Sequence, residues 1–115
     1  MPYPEYAEVE QPLLAAIYLQ SGLSYSVRPY EVYDILADYF GLTEEERNVS
    51  RHEVTGDGRM ESYWSNRVQW ARRKLNDYGY LDTKAGHGIW KLSEKGIEHA
   101  KLVIEAKPEL QQLAE

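Results

Sequence analysis

Asn66, Gln69 and Arg73 recur at spacings of three and four, which on an α-helix places them on one face. Their types suit one chemistry. An Arg guanidinium forks onto the O6 and N7 acceptors of guanine, and an Asn or Gln amide pairs with N6 and N7 of adenine. A helix that reads base edges does so mainly with its N-terminal half, where these three fall. The same side chains also suit an ordinary solvated helix face. Cations cluster around them. Arg59, Arg67, Arg72, Lys74, Lys84 and Lys91 could each meet a phosphate, as could His87 and the hydroxyls of Ser62 and Ser65. Arg67 lies on the flank of the helix, where it could instead pair with Glu31 or Asp34. Trp70 lies about 120° from the helix's apolar centre line. It could pack under a neighbouring loop or against the first helix, or it could contact a thymine methyl or a methylated base.

Other reactive chemistry is not visible. His52, His87 and His99 are scattered, with no His-Glu-x-x-His and no carboxylate cluster at ligand spacing, so no metal or other cofactor is expected. Glu44-Glu45-Glu46 reads as a helix-opening charge run rather than an acid–base pair. Ser62 and Ser65 also read as helix caps and not as nucleophiles, because no Gly-x-Ser-x-Gly surrounds either. Gly86 and Gly88 are not a phosphate-cradling loop, since no strand–loop–helix unit contains them. No catalytic residue is therefore assigned.

The elements that must position these residues follow from periodicity. A first helix is expected over about residues 8–21, with Pro12 in its first turn, a stripe of Leu13, Leu14, Ile17 and Tyr18, and a stop at Ser21-Gly22. Leu23 to Val27 could be a short extended segment. A second helix starts at Pro29, buries Val32, Ile35, Leu36 and Tyr39, and ends at Gly41. Thr43 and Glu46 make a capping box for one short helical turn. Residues 48–59 are polar, with Gly56-Asp57-Gly58 as a turn. The third helix has Ser62 as its N-cap, a stripe of Trp64, Val68, Ala71, Leu75 and Tyr78, and Gly79 as its stop. Tyr80-Leu81-Asp82 and Ile89-Trp90-Lys91-Leu92 flank a Gly-containing loop and predict a β-hairpin. That loop, Lys84-Ala85-Gly86-His87-Gly88, is either a plain turn or a tip that lets backbone approach a phosphate or minor groove. Ser93 caps a fourth helix that runs to about Ala106, and Pro108 closes it. The tail after it continues as a frayed helix or is disordered. Trp64 and Trp90 are expected in the core.

Helix, helix, long helix, two-stranded hairpin, helix is the order of a winged helix-turn-helix, mainly α with a small β-hairpin. The third helix would be its recognition helix and the hairpin its wing. One such domain is expected over residues 1–107, with 108–115 as a tail.

The chain has 115 residues and a net charge of −6, which by itself argues against a nucleic-acid partner. The distribution argues otherwise. Residues 1–58 carry 3 basic and 11 acidic groups, residues 59–95 carry 8 and 4, and residues 96–115 carry 2 and 4. The central block is the one candidate face for phosphate. There is no apolar run of membrane-spanning length and no apolar signal core, so no membrane partner is expected. The absence of cysteine excludes disulfides and thiolate metal sites and fits a reducing cytoplasm.

Residues 62–96 resemble the N-terminal domain of the Mrr family of restriction proteins. The shared pattern is carried by Asn66, Arg67, Val68, Trp70, Ala71, Arg72, Leu75, Gly79, Leu81, Gly88, Trp90, Ser93, Glu94 and Gly96. Pro12-Leu13-Leu14 and Leu42-Thr43-Glu44-Glu45-Glu46-Arg47 extend the resemblance to about residues 3–101. It implies a winged helix that binds double-stranded DNA ahead of a separate nuclease domain. Related modules beside nucleases sense methylated bases, so a reader of modified DNA is within its scope. No nuclease domain follows in this sequence, so the resemblance implies either a stand-alone reader or a part of a longer protein with a nuclease or other partner.

The acidic total supports an alternative: a protein-interaction winged helix whose first half binds a basic partner, or itself as a homodimer. Tyr25, Tyr30 and Tyr33 would supply a dimer face. A stand-alone transcriptional regulator is a further alternative.

Overall fold

A computed structural model describes residues 3–86 and 88–114. The first helix, α1 (Tyr6–Gln20), opens where the Glu8 carboxylate accepts the backbone N–H of Glu5 at 2.9 Å. This start precedes the expected one, so Pro12 sits inside the helix and not in its first turn. Lacking an N–H, Pro12 removes one rung of the helical ladder. Burial offsets that loss. Val9, Leu13, Leu14, Ala15, Ala16 and Ile17 are all buried, and α1 is the central helix on which the others pack.

Beyond α1 the chain is less extended than expected. A 3-10 turn (Gly22–Ser24) intervenes, Tyr25 adopts a left-handed φ of 53°, and only β1 (Ser26–Val27) is a strand. Helix α2 (Pro29–Tyr39) begins at the expected proline, with the Glu31 carboxylate accepting the Arg28 N–H at 2.7 Å. It buries Val32, Leu36 and Ala37. Helix α3 (Glu44–Asn48) has the expected capping box. Thr43 Oγ1 accepts the Glu46 N–H at 3.1 Å, and Glu46 accepts the Thr43 N–H at 2.7 Å.

A further short helix, α4 (Arg51–Thr55), lies within the polar stretch 48–59. Five residues without apolar periodicity gave no signal for it. Its cap is Ser50, whose hydroxyl accepts the Glu53 N–H at 3.2 Å. An antiparallel bridge between Ser50 and Ser62 closes the loop beneath it.

Helix α5 (Tyr63–Asp77) is capped by Ser62, whose hydroxyl accepts the Ser65 N–H at 3.2 Å. Trp64, Val68, Ala71 and Leu75 are buried, as their spacing predicts. The Trp64 indole N–H donates to the Tyr33 carbonyl at 2.9 Å and fixes α5 against α2. Tyr78 does not complete the stripe. It is the C-cap, 44% exposed, and its hydroxyl donates to Glu10 at 3.0 Å. Gly79 then takes φ +83°, and the Tyr80 N–H bonds back to the Leu75 carbonyl at 3.0 Å, closing the helix end.

The expected hairpin is a single bridge, Leu81 to Leu92. The ladder of β2 (Trp90–Lys91) is instead with β1, pairing Ser26 with Lys91 and Val27 with Trp90, antiparallel. The wing base is therefore tied to the connection between α1 and α2. Helix α6 (Glu94–Ala106) follows, with Ser93 as cap. The expected fraying after Pro108 does not occur. Pro108–Ala114 forms 3-10 turns against α1, Leu110 and Leu113 are each 1% exposed, and the Gln20 amide donates to the Leu113 carbonyl at 2.6 Å. Trp64 and Trp90 lie in the core.

The chain is a winged helix-turn-helix, mostly helical with one small antiparallel sheet. Among the described residues, no helix is long and apolar enough to cross a membrane.

Candidate nucleic-acid interface

The face of α5 opposite its buried stripe carries Asn66, Gln69, Trp70 and Arg73. A groove of about 220 Å³ runs across it, lined by these four together with Arg51 and Arg59 from the α4 side and Arg72 from the wing side. Two further hollows adjoin it. Toward the wing, one of about 310 Å³ shares Gln69 and Arg72 and is closed by Pro29, Tyr33, Ile89 and Trp90. Toward the N-terminus, one of about 470 Å³ shares Asn66, Trp70 and Arg51 and adds Lys74. The exposed face of α5 is thus flanked by concave surface on both sides.

Several side chains here lack a partner inside the protein. Among the described residues, the Asn66 amide, the Trp70 indole N–H and the Arg73 guanidinium make no hydrogen bond. Arg72, Arg73 and Lys74 form no salt bridge among the described residues. Aromatic rings hold two of the cations instead. The Arg73 guanidinium carbon stands 5.3 Å from the Trp70 ring centroid, and that of Arg72 5.9 Å from Trp90. Such contacts are worth about 0.5–1 kcal/mol at exposed sites, enough to bias orientation while leaving the N–H groups unused. Trp70 is itself 45% exposed and outside the core, and it lines one hollow together with Tyr6 of α1.

Gln69 differs from its two neighbours. Its amide donates one N–H to the Tyr33 hydroxyl at 3.1 Å, which leaves its carbonyl oxygen and second N–H without a partner among the described residues. Burial is the main cause that lifts Tyr33 above the ordinary tyrosine pKa, and the Gln69 contact opposes it, so the hydroxyl is neutral at pH 7. Arg59 is exposed at the groove's rim, 3.8 Å from Glu61. Arg51, which sequence reasoning missed, pairs with Asp57 at 2.8 Å and with Glu61 at 3.5 Å. The Asp57 carboxyl is held below its ordinary value first by the Arg59 backbone N–H, 2.9 Å away, with Thr55 and Arg51 adding to it. The groove therefore has two arginines answered by carboxylates on its α4 side and, on α5, Arg72 and Arg73 without a salt bridge among the described residues.

Three expected phosphate contacts use their polar groups internally. Arg67 turns under the N-terminal segment, donating to the Pro4 carbonyl at 2.8 Å and the Tyr63 hydroxyl at 2.8 Å, with its guanidinium carbon 4.3 Å from the Tyr6 ring centroid. It does not reach Glu31 or Asp34. Asp34 faces Arg47 instead, at 3.8 Å. Ser62 donates its hydroxyl to the Arg47 carbonyl at 2.8 Å, and Ser65 donates to the Ser62 carbonyl at 3.1 Å. In the wing, Lys84 is exposed, and its backbone N–H donates to Asp82 at 2.9 Å. Gly86 and Gly88 take φ +105° and +77°, values that L side chains rarely adopt. Lys91 is half-buried on β2. His87 lies outside the described residues. Tyr25 stacks on Tyr18 and Tyr33 meets Trp90 edge-on, leaving Tyr30 exposed.

The wing is stitched to α5 by residues of the shared pattern. Ser93 Oγ accepts the Gly96 N–H at 3.0 Å and donates to the Gly79 carbonyl at 2.7 Å. A Cβ at Gly96 would lie 2.0 Å from the Tyr80 carbonyl oxygen, so only glycine admits this approach. The glycine and serine of that pattern thereby set where the wing leaves α5.

Residues 6–101 match the family model of the Mrr N-terminal domain. No curated protein and no solved structure matches the chain. The family match covers most of the chain, and the chain belongs to the Mrr N-terminal domain family, a restriction-system-associated domain distinct from a catalytic nuclease domain.

Proposed function

We propose that this domain binds double-stranded DNA without catalysing a reaction, with α5 in the major groove and the wing against the adjacent backbone. The observation that carries it is the set of unpartnered groups on the exposed face of α5. Asn66 and Arg73 offer base-edge chemistry, and Arg72 and Lys74 flank them with charge that no carboxylate answers among the described residues. Lys84, Arg59 and Lys91 extend that charge toward the phosphates on either side. Trp70, exposed beside Arg73, is placed to contact a thymine methyl or the methyl of a modified base.

Fluorescence anisotropy tests this. Matched duplexes, unmodified, adenine-methylated and cytosine-methylated, are titrated at two salt concentrations. The expected result is binding that weakens steeply with salt, as counterion release requires, with one duplex preferred. Absence of binding to every duplex at low salt would remove the proposal.

One observation favours an alternative. Asp34 and Asp38 are 81% and 72% exposed on α2, and both face Arg47 of α3, whose first turn is acidic. Such a face suits a basic protein partner. A stable complex or homodimer with salt-insensitive, weak DNA binding would move the function there.

A further inference from the structure

The 470 Å³ hollow beside α5 is not needed to seat a helix in a groove. It lies off the axis of α5, walled by Tyr6 at the start of α1, Tyr63 and Trp70 on α5, and Thr55 on α4. Three aromatic rings therefore converge on one cavity that is large enough for a small organic ligand. Asn66 stands at the boundary between this cavity and the arginine-lined groove, with its amide unpartnered among the described residues. Lys74 and Arg51 sit at the rim. Arg67 braces the far side of the Tyr6 and Tyr63 rings, 4.3 and 5.2 Å from their centroids.

We infer that this cavity holds one nucleobase that has left the duplex stack. Aromatic faces suit any base because every base has a π-face. An amide at the mouth can pair with a Watson–Crick edge, and Lys74, which makes no salt bridge among the described residues, suits a flanking phosphate, while Arg51 is already paired with Asp57 and Glu61. An apolar peptide would have no use for that ammonium and amide, and a free anion would have none for three rings. This inference rests on the duplex-binding function proposed above.

An unpaired base has already been released from pairing, so a bulge isolates the cavity's contribution. The test compares three duplexes by anisotropy: fully matched, with one bulged thymidine, and with one bulged abasic nucleotide. The two bulges disturb the duplex similarly, and only one offers a base. The thymidine bulge is expected to bind roughly tenfold more tightly than the abasic bulge, the scale of stacking one base on aromatic side chains. Tyr6→Leu should abolish that difference and leave matched-duplex affinity unchanged, because Tyr6 lines the cavity and not the arginine groove. Equal affinity of the wild type for both bulges, with salt-dependent binding to the matched duplex, overturns the cavity and leaves duplex binding standing. A base preference that survives Tyr6→Leu also overturns it. No binding to any of the three overturns both.

Discussion

Arg73 and Arg67 show how two arginines one and a half turns apart on α5 come to have different uses. Arg73 leans on an exposed Trp70 and keeps its N–H groups free. Arg67 donates to a carbonyl and a hydroxyl between two tyrosine rings, and its Nε is buried without a partner. If Arg73 contacts a base, Arg73→Ala should cost about 1–3 kcal/mol in binding and relax preference at one position of the site. An equal loss on every sequence, measured by anisotropy on a base-substituted duplex set, would reassign it to phosphate. Arg67→Ala should act on the fold. Its loss leaves the Pro4 carbonyl and the Tyr6 and Tyr63 rings without their brace, at a cost of about 1–3 kcal/mol in urea unfolding. DNA affinity per folded molecule should stay near wild type. At this scale the sequence was informative for Asn66, Arg73 and Trp64, whose exposure or burial follows from the helical period, and for Trp90, whose bulk and apolar flanks point to the core. It was uninformative for Arg67, because the direction of its side chain is decided by residues 3–6, which are brought back over α5 only by the fold.

At the scale of elements, α2, α3, α5 and α6 begin where a Ser, Thr or Pro signal predicts. Helix α4 was not legible, since a single polar turn has no period to detect, and its stability comes from the Ser50 cap and the Ser50–Ser62 bridge. The β1–β2 pairing was hidden for another reason. Two residues on each side cannot advertise a partner more than 60 positions away. Gly96 and Lys84 carry the predictions here. Gly96→Ala must displace the Tyr80 carbonyl and should lower stability by about 1–3 kcal/mol, the usual range for overpacking, read as a fall in the denaturation midpoint. Because Tyr80 starts the wing, the same variant should weaken DNA binding beyond what its unfolded fraction explains. Lys84→Ala, by contrast, should leave stability unchanged. It should weaken binding uniformly across sequences and reduce the salt slope by about one. A sequence-dependent loss would mean that the wing reads bases.

For the whole molecule, the net charge of −6 conceals a division between the acidic α2–α3 side and the cationic face of α5. That division was legible as the central basic block, but the concave surfaces around α5 were not. Tyr6, Arg51 and Trp70 are far apart in sequence, and only packing on α1 assembles them. A pH dependence belongs at this scale too. Burial raises the pKa of Tyr3, Tyr33 and Tyr39 above the ordinary 10.0, and the hydrogen bond to Glu10 raises that of Tyr78. A group with a raised folded-state pKa gives its full stabilisation below the unfolded value and loses it as pH climbs through the folded value. Thermal stability should therefore be level with respect to these tyrosines up to about pH 9 and fall above about pH 10. A melting temperature that is constant from pH 8 to 11 would contradict that assignment.

The most direct test of the central claim is a heteronuclear NMR titration of the labelled chain with a short duplex at low salt. The Trp70 indole N–H, the Asn66 amide and the backbone of residues 62–73 and 83–86 should shift or broaden first, while Asp34, Asp38 and α3 stay fixed. Shifts confined to the acidic α2–α3 face, or a spectrum unchanged at saturating duplex, would show that α5 is not where this domain meets DNA.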